Sequence, residues 1–148
     1  MSVATLVRNL LLEDPEITGW ATGGILPADP RRSGRRKTDS FSKTEMGEIL
    51  PTIAVVPSVN TRTMDLTAPS NAINSHVEIR IFRTDTKASF VNVEQLLNKI
   101  RKLLHTRPVD RDGLRGIIIW MDDLPPQTTQ AFEDVVYAES HYFVERLI

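Results

Sequence analysis

The chain has 148 residues, with 18 Lys+Arg against 19 Asp+Glu, 41% hydrophobic side chains and no cysteine. A domain of that length buries roughly two-thirds of its unfolded surface, and the apolar share excludes collagen-like and wholly disordered classes. Without cysteine there is no disulfide framework, zinc ribbon or thiol nucleophile, and apolar runs of about five residues fall far short of the ~20 a membrane helix needs.

The N-terminus has no basic start, long apolar run or small-residue cleavage site, so a soluble protein kept inside the cell is expected. Val3, Leu6, Val7, Leu10 and Leu11 form one apolar stripe at helical spacing. Ser2 is the N-cap of this predicted helix, and Asp14-Pro15 is its stop, because the residue before a proline is pushed out of the α region. Ile17–Trp20 and Ile25–Pro27 read as two extended arms around Gly23-Gly24, a pair suited to the positive φ of a tight hairpin.

Residues 28–48 form one long predicted loop. Within it, from Ala28 to Lys43, Arg31, Arg32, Arg35, Arg36, Lys37 and Lys43 stand against Asp29 and Asp39, a local +4. Regular structure resumes at Ile49–Pro57, a predicted strand with Pro51 near its start, and Val59–Asn71 is polar and turn-rich. Ala72–Arg83 then alternates. Val77, Ile79 and Ile81 point one way, while His76, Glu78, Arg80 and Phe82 point the other, the period-2 pattern of a half-buried strand.

The strongest helix spans Lys87–Thr106, with Phe90, Val93, Leu97, Ile100 and Leu104 on one face. Pro108, Asp110, Asp112 and Gly113 read as its exit turn, Arg115–Met121 as a β-branched strand and Asp122–Gln127 as a connection. Phe132–Leu147 closes the chain as one strand, or two broken near Ser140. The expected fold is α+β, an antiparallel-rich mixed sheet with two helices packed on one face and a long basic loop, in a single domain over 1–148.

Few residues suggest catalysis. His76, His105 and His141 lie far apart without metal-ligand spacing; the first and last read as strand residues and His105 as a helix end. Asp110-x-Asp112-Gly113 and Asp122-Asp123 lack the full calcium-loop pattern and suit turns. Gly23-Gly24 lacks the lysine of a phosphate loop, and no serine sits in G-x-S-x-G. An enzyme is not expected, nor a cofactor or a bound metal.

Charge is more informative. Arg31, Arg32, Arg35, Arg36 and Lys37 could meet nucleic-acid phosphates or an acidic protein surface, or simply keep a solvated loop soluble. No motif for base readout surrounds them. From Trp120 to Ile148, Asp122, Asp123, Glu133, Asp134, Glu139 and Glu145 face Arg146 alone, a net −5. The near-neutral total is thus a cancellation between a basic and an acidic region, and it suits subunits that meet head-to-tail, with Asp122, Asp123, Glu133 and Asp134 as an acidic counter-patch.

The opening helix Val3–Leu11, the piece at Ile25-Leu26-Pro27, Leu50–Val55, the strand His76–Phe82, the helix Val91–Arg101 and the closing strands from Gly116 to Leu147 follow a known order. Across nearly the whole chain this order resembles the tail-terminator and tail-completion proteins of long-tailed bacteriophages, the minor tail protein U-like group. The resemblance implies a non-enzymatic α+β subunit that forms a homohexameric ring, ends the tail tube and joins it to the neck. It further implies a virion location after assembly in the host cytoplasm. The implied partners are the tail tube protein, the head–tail connector or neck proteins, and DNA passing through the lumen without sequence-specific binding; no membrane is involved. An exposed early loop would reach a neighbour or the lumen, making Arg31, Arg32, Arg35, Arg36 and Lys37 the interface or lumen candidates. A head-closure or other neck protein is the alternative within the same junction. A small nucleic-acid-binding module using the basic loop is the alternative of another class.

Overall fold

The computed structural model describes residues 2–30, 41–57, 76–84, 86, 88–129 and 132–146. Helix α1 spans Val3–Leu12, and the Thr5 amide donates to the Ser2 side chain that caps it. Its whole apolar stripe is buried. Asp14 then starts rather than merely stops a helix: α2 runs Pro15–Trp20, with Pro15 in the first turn and the Asp14 carboxylate accepting from the amides of Glu16 and Ile17. The hairpin expected around Gly23-Gly24 is therefore absent. Its second arm does form strand β1, Ile25–Leu26, but pairs in parallel with β2, Thr52–Pro57.

Strand β3, His76–Thr84, lies antiparallel to β2 on one side and to β6, Phe132–Arg146, on the other. Helix α3 covers Ser89–Leu104, inside the predicted span, and buries Val93, Leu96, Leu97, Ile100 and Leu104. The exit turn proves to be more than a turn. Pro108–Arg111 is strand β4, and Asp112 (φ 48°) with Gly113 (φ 83°) forms the two-residue turn into β5, Leu114–Thr129. Two consecutive positive φ values fit a twisted hairpin, which is why Asp-Gly occurs there.

Asp122–Gln127 is likewise no connection but the second half of β5. The strand absorbs its irregular residues by shifts of register between Trp120 and Asp122 and between Leu124 and Gln127. Strand β6 continues through Ser140 without a break. The resulting mixed sheet has the order β1-β2-β3-β6-β5-β4.

The strand alternation sorts side chains onto two faces. Val77, Ile79 and Ile81 of β3, with Val136, Ala138, Tyr142 and Val144 of β6, form one core with the buried stripes of α1 and α3. Each such side chain contributes about 1.5–3 kcal/mol by leaving water. The opposite face holds a smaller cluster of Phe41, Ile49, Ala54, Val56, Phe82, Val135 and Tyr137. Phe41, the lone aromatic of the predicted loop, is seated there against Phe82, with ring centroids 5.1 Å apart. No helix among the described residues is long and apolar enough to cross a membrane.

Candidate functional site

The face away from the helices brings together six ionisable side chains from four parts of the chain. Arg80 on β3 is the hub, half-buried with 13% of its side chain exposed. Its Nη1 donates to Asp29 Oδ2 at 2.6 Å and its Nη2 to Glu78 Oε2 at 2.6 Å, while its Nε lies 3.7 Å from Glu139 Oε1. Glu78 and Arg80 share this face because they are two residues apart on one strand; Glu139 joins them because β6 pairs it with Arg80. Burial alone would lower the Arg80 pKa, but the hydrogen bonds it donates to Glu78 and Asp29 and the charges of those carboxylates outweigh this and raise it, so the guanidinium stays charged.

His141 extends the network to β5. Its Nε2 is 2.9 Å from Glu139 Oε2 and its Nδ1 is 2.8 Å from Asp122 Oδ1. An imidazole with a carboxylate on each nitrogen can satisfy both only as imidazolium, donating at both ends. The hydrogen bond to Glu139 accordingly raises the pKa of His141 above its usual value, burial opposes it, and the charges of Asp122, Glu78 and Glu139 add to it. The sequence reading of His141 as an ordinary strand residue missed this role. The alternation of Glu139 and His141 was visible; the cross-strand position of Asp122 was not.

Glu78, Glu139 and His141 also bring one potential ligand atom each within 4.8 Å of one another. Arg80 already donates to Glu78 through both Nε and Nη2, however, and His141 engages Glu139, so the arrangement is an ion-pair network. Beside it, His76 and Phe143 stack with centroids 5.7 Å apart.

Asp123 faces the other way. It accepts from Trp120 Nε1 at 2.9 Å and from Ser140 Oγ at 2.6 Å, and it pairs with Arg101 of α3. The Arg101 guanidinium also lies over the Trp120 ring, 4.2 Å from its centroid. Nearby, burial pushes the Tyr142 phenol up to about 12, keeping it neutral at physiological pH. Asp122 and Asp123, neighbours in sequence, thus fall on opposite sides of β5. The side chains of Glu133 and Asp134, the other two members of the predicted counter-patch, lie outside the described residues.

The predicted interface or lumen residues Arg31, Arg32, Arg35, Arg36 and Lys37 also lie outside the described residues. The chain on both sides of them is placed. Asp29 is 4% exposed and tied to Arg80, and Phe41 is 5% exposed and tied to Phe82. Both anchors, Arg80 and Phe82, are on β3, two residues apart, so Asp29 and Phe41 sit on the face that carries Glu139, His141 and Asp122.

Two open clefts flank α3. One of about 600 Å³ is lined by residues including Glu16, Trp20, Asn92, Lys99 and Lys102, and one of about 430 Å³ by residues including Phe90, Arg101, Asp123 and Pro125. Neither lining includes a serine or histidine, and in the first Lys99 is paired with Glu16. Comparison of the chain with protein-family models, with curated proteins and with solved structures gives no match.

Proposed function

We propose that this chain is a structural virion protein of the phage head–tail junction. In this reading it forms a homohexameric ring that ends the tail tube and joins it to the neck. It works by binding rather than by catalysis, with the tail tube protein on one ring face and connector or neck proteins on the other. It would be assembled in the host cytoplasm and reside in the virion, with DNA passing through the lumen without sequence-specific contacts.

The observation that supports this reading best is the placement of charge. Asp29 and Phe41, the described residues on either side of Arg31, Arg32, Arg35, Arg36 and Lys37, sit on the sheet face opposite the described helices, where Asp122 is 67% exposed and Glu139 and His141 are partly exposed. Cationic and anionic elements of this kind can pair between subunits related by rotation, and such heterologous pairing closes into a ring when the rotation divides the circle evenly. The segments quoted for the resemblance fold in that chain order as α1, β2, β3, α3 and the closing strands.

Sedimentation velocity of the purified chain, alone and with the tail tube protein, tests the reading. A species of six times the subunit mass in either sample is expected. A monomer in both overturns it. Tight DNA binding by that monomer, lost on changing Arg31, Arg32, Arg35 and Arg36 to Ser, favours the nucleic-acid module instead.

A further inference from the structure

The sheet face opposite the described helices presents the chemistry that receives arginine. Asp122 is well exposed, Glu139 is partly so, and the partly exposed His76–Phe143 stack offers an aromatic surface beside them. Carboxylates accept guanidinium hydrogen bonds in forked geometry, and aromatic rings take the planar cation on their faces. At present His141 bridges the two carboxylates from between.

We propose that Asp122, Glu139 and the His76–Phe143 stack form the receiving site for the basic segment, residues 31–37, of a second copy of this chain, with His141 as the occupant that segment displaces. The proposal rests on the ring reading and deepens it by naming the contact. An incoming arginine takes the carboxylates from His141, and the imidazole gives up one proton to solvent and remains neutral. Charge in the site is conserved, one cation replacing another.

Proton competition follows. The groups facing His141 are Glu139 on its own strand, Asp122 on β5, and Glu78 and Arg80 on β3, with Asp29 behind Arg80. Acidic solution keeps His141 charged and bound to both carboxylates, so the site is closed to a cationic partner. Alkaline solution opens it. The raised pKa of His141 moves this opening above the ordinary histidine range.

The test uses the full chain with Arg31, Arg32, Arg35 and Arg36 changed to Ser, so that its own segment does not occupy the site. A synthetic peptide with the sequence of residues 28–43 is titrated into it by calorimetry. Binding is expected to tighten between pH 5.5 and pH 8.5, and His141→Gln is expected to abolish that dependence and bind tightly throughout. Asp122→Asn or Glu139→Gln should each weaken binding roughly ten-fold, the size of one lost charge-assisted contact. Glu94→Gln, on α3 at the opposite face, should leave it unchanged.

No binding at either pH overturns the proposal, as does equal weakening by Glu94→Gln and Asp122→Asn. Equal affinity at the two pH values in the presence of His141 does the same. These outcomes are separable from failure of the ring reading: a monomeric chain that binds the peptide with this pattern sinks the hexamer and keeps the site. A six-subunit species that ignores the peptide does the reverse.

Discussion

Asp29 and Arg80, 51 residues apart, meet through an Oδ2–Nη1 contact of 2.6 Å in which the carboxylate is 2% exposed. The pair fastens the entry of the basic segment to β3. Asp29→Asn removes the charge while leaving Glu78 on the same guanidinium. It should lower stability by about 1.5–3 kcal/mol, the worth of a hydrogen bond to a charged group. Urea denaturation of both proteins measures this. An unchanged midpoint would mean that Asp29 is not held by Arg80 in solution.

Asp123 gives a larger effect by a different route. Asp123→Ala strips the acceptor from Trp120 Nε1 and Ser140 Oγ together, and Ser140 is fully buried. A loss of roughly 2–4 kcal/mol is expected from two donors left without partners. The fluorescence of Trp120 should shift as well, since Arg101 would lose the carboxylate that helps hold it over the ring.

Two glycines of the same hairpin should fail for unlike reasons. At Gly113 (φ +83°) an added Cβ meets nothing, so Gly113→Ala costs only the left-handed backbone, about 1–2 kcal/mol. At Gly116 no positive φ is required, but a Cβ would overlap the Glu145 carbonyl of β6. Gly116→Ala should therefore disturb the β5–β6 ladder, visible as faster amide exchange at Ile118 and Val144, whereas Gly113→Ala leaves those amides protected.

His141 sets a pH dependence of stability with a definite sign. Its pKa is raised in the folded state, so its contribution is fully present below the unfolded value of about 6.5 and is lost as pH rises through the folded value. The native protein should lose stability relative to His141→Gln as pH rises above about 6.5, and the difference should be flat well below that value. Paired urea titrations across this range would expose a wrong sign at once.

Local periodicity carried much of the fold. The stripes of α1 and α3 and the alternation of β3 are repeated signals over nine or more residues, and all three elements lie where they were expected. Ile17–Trp20 failed because four residues cannot separate a period of two from one of 3.6; the usable sign was Asp14-Pro15, read only as a stop although it is also a cap followed by a first-turn proline. Pro125-Pro126 misled in the same way, since a proline pair suggests a loop yet is tolerated on an outer strand at a shift of register. The network around Arg80 and His141 had only a partial local signature, the alternation that puts Glu78 with Arg80 and Glu139 with His141. It depends on pairing Arg80 with Glu139 and Asp122 with His141, and register between distant strands is a property of the folded sheet.

The outer side of β5 constrains how copies of this chain can join. β4 pairs with only its first residues, His105 Nδ1 accepts the Trp120 amide farther along, and Pro125 and Pro126 offer no amide beyond. A strand from another molecule thus finds few donors with which to extend the sheet, the usual route to irreversible stacking. Contacts of another molecule with this stretch therefore fall to side chains, and those that pair charges weaken as salt rises.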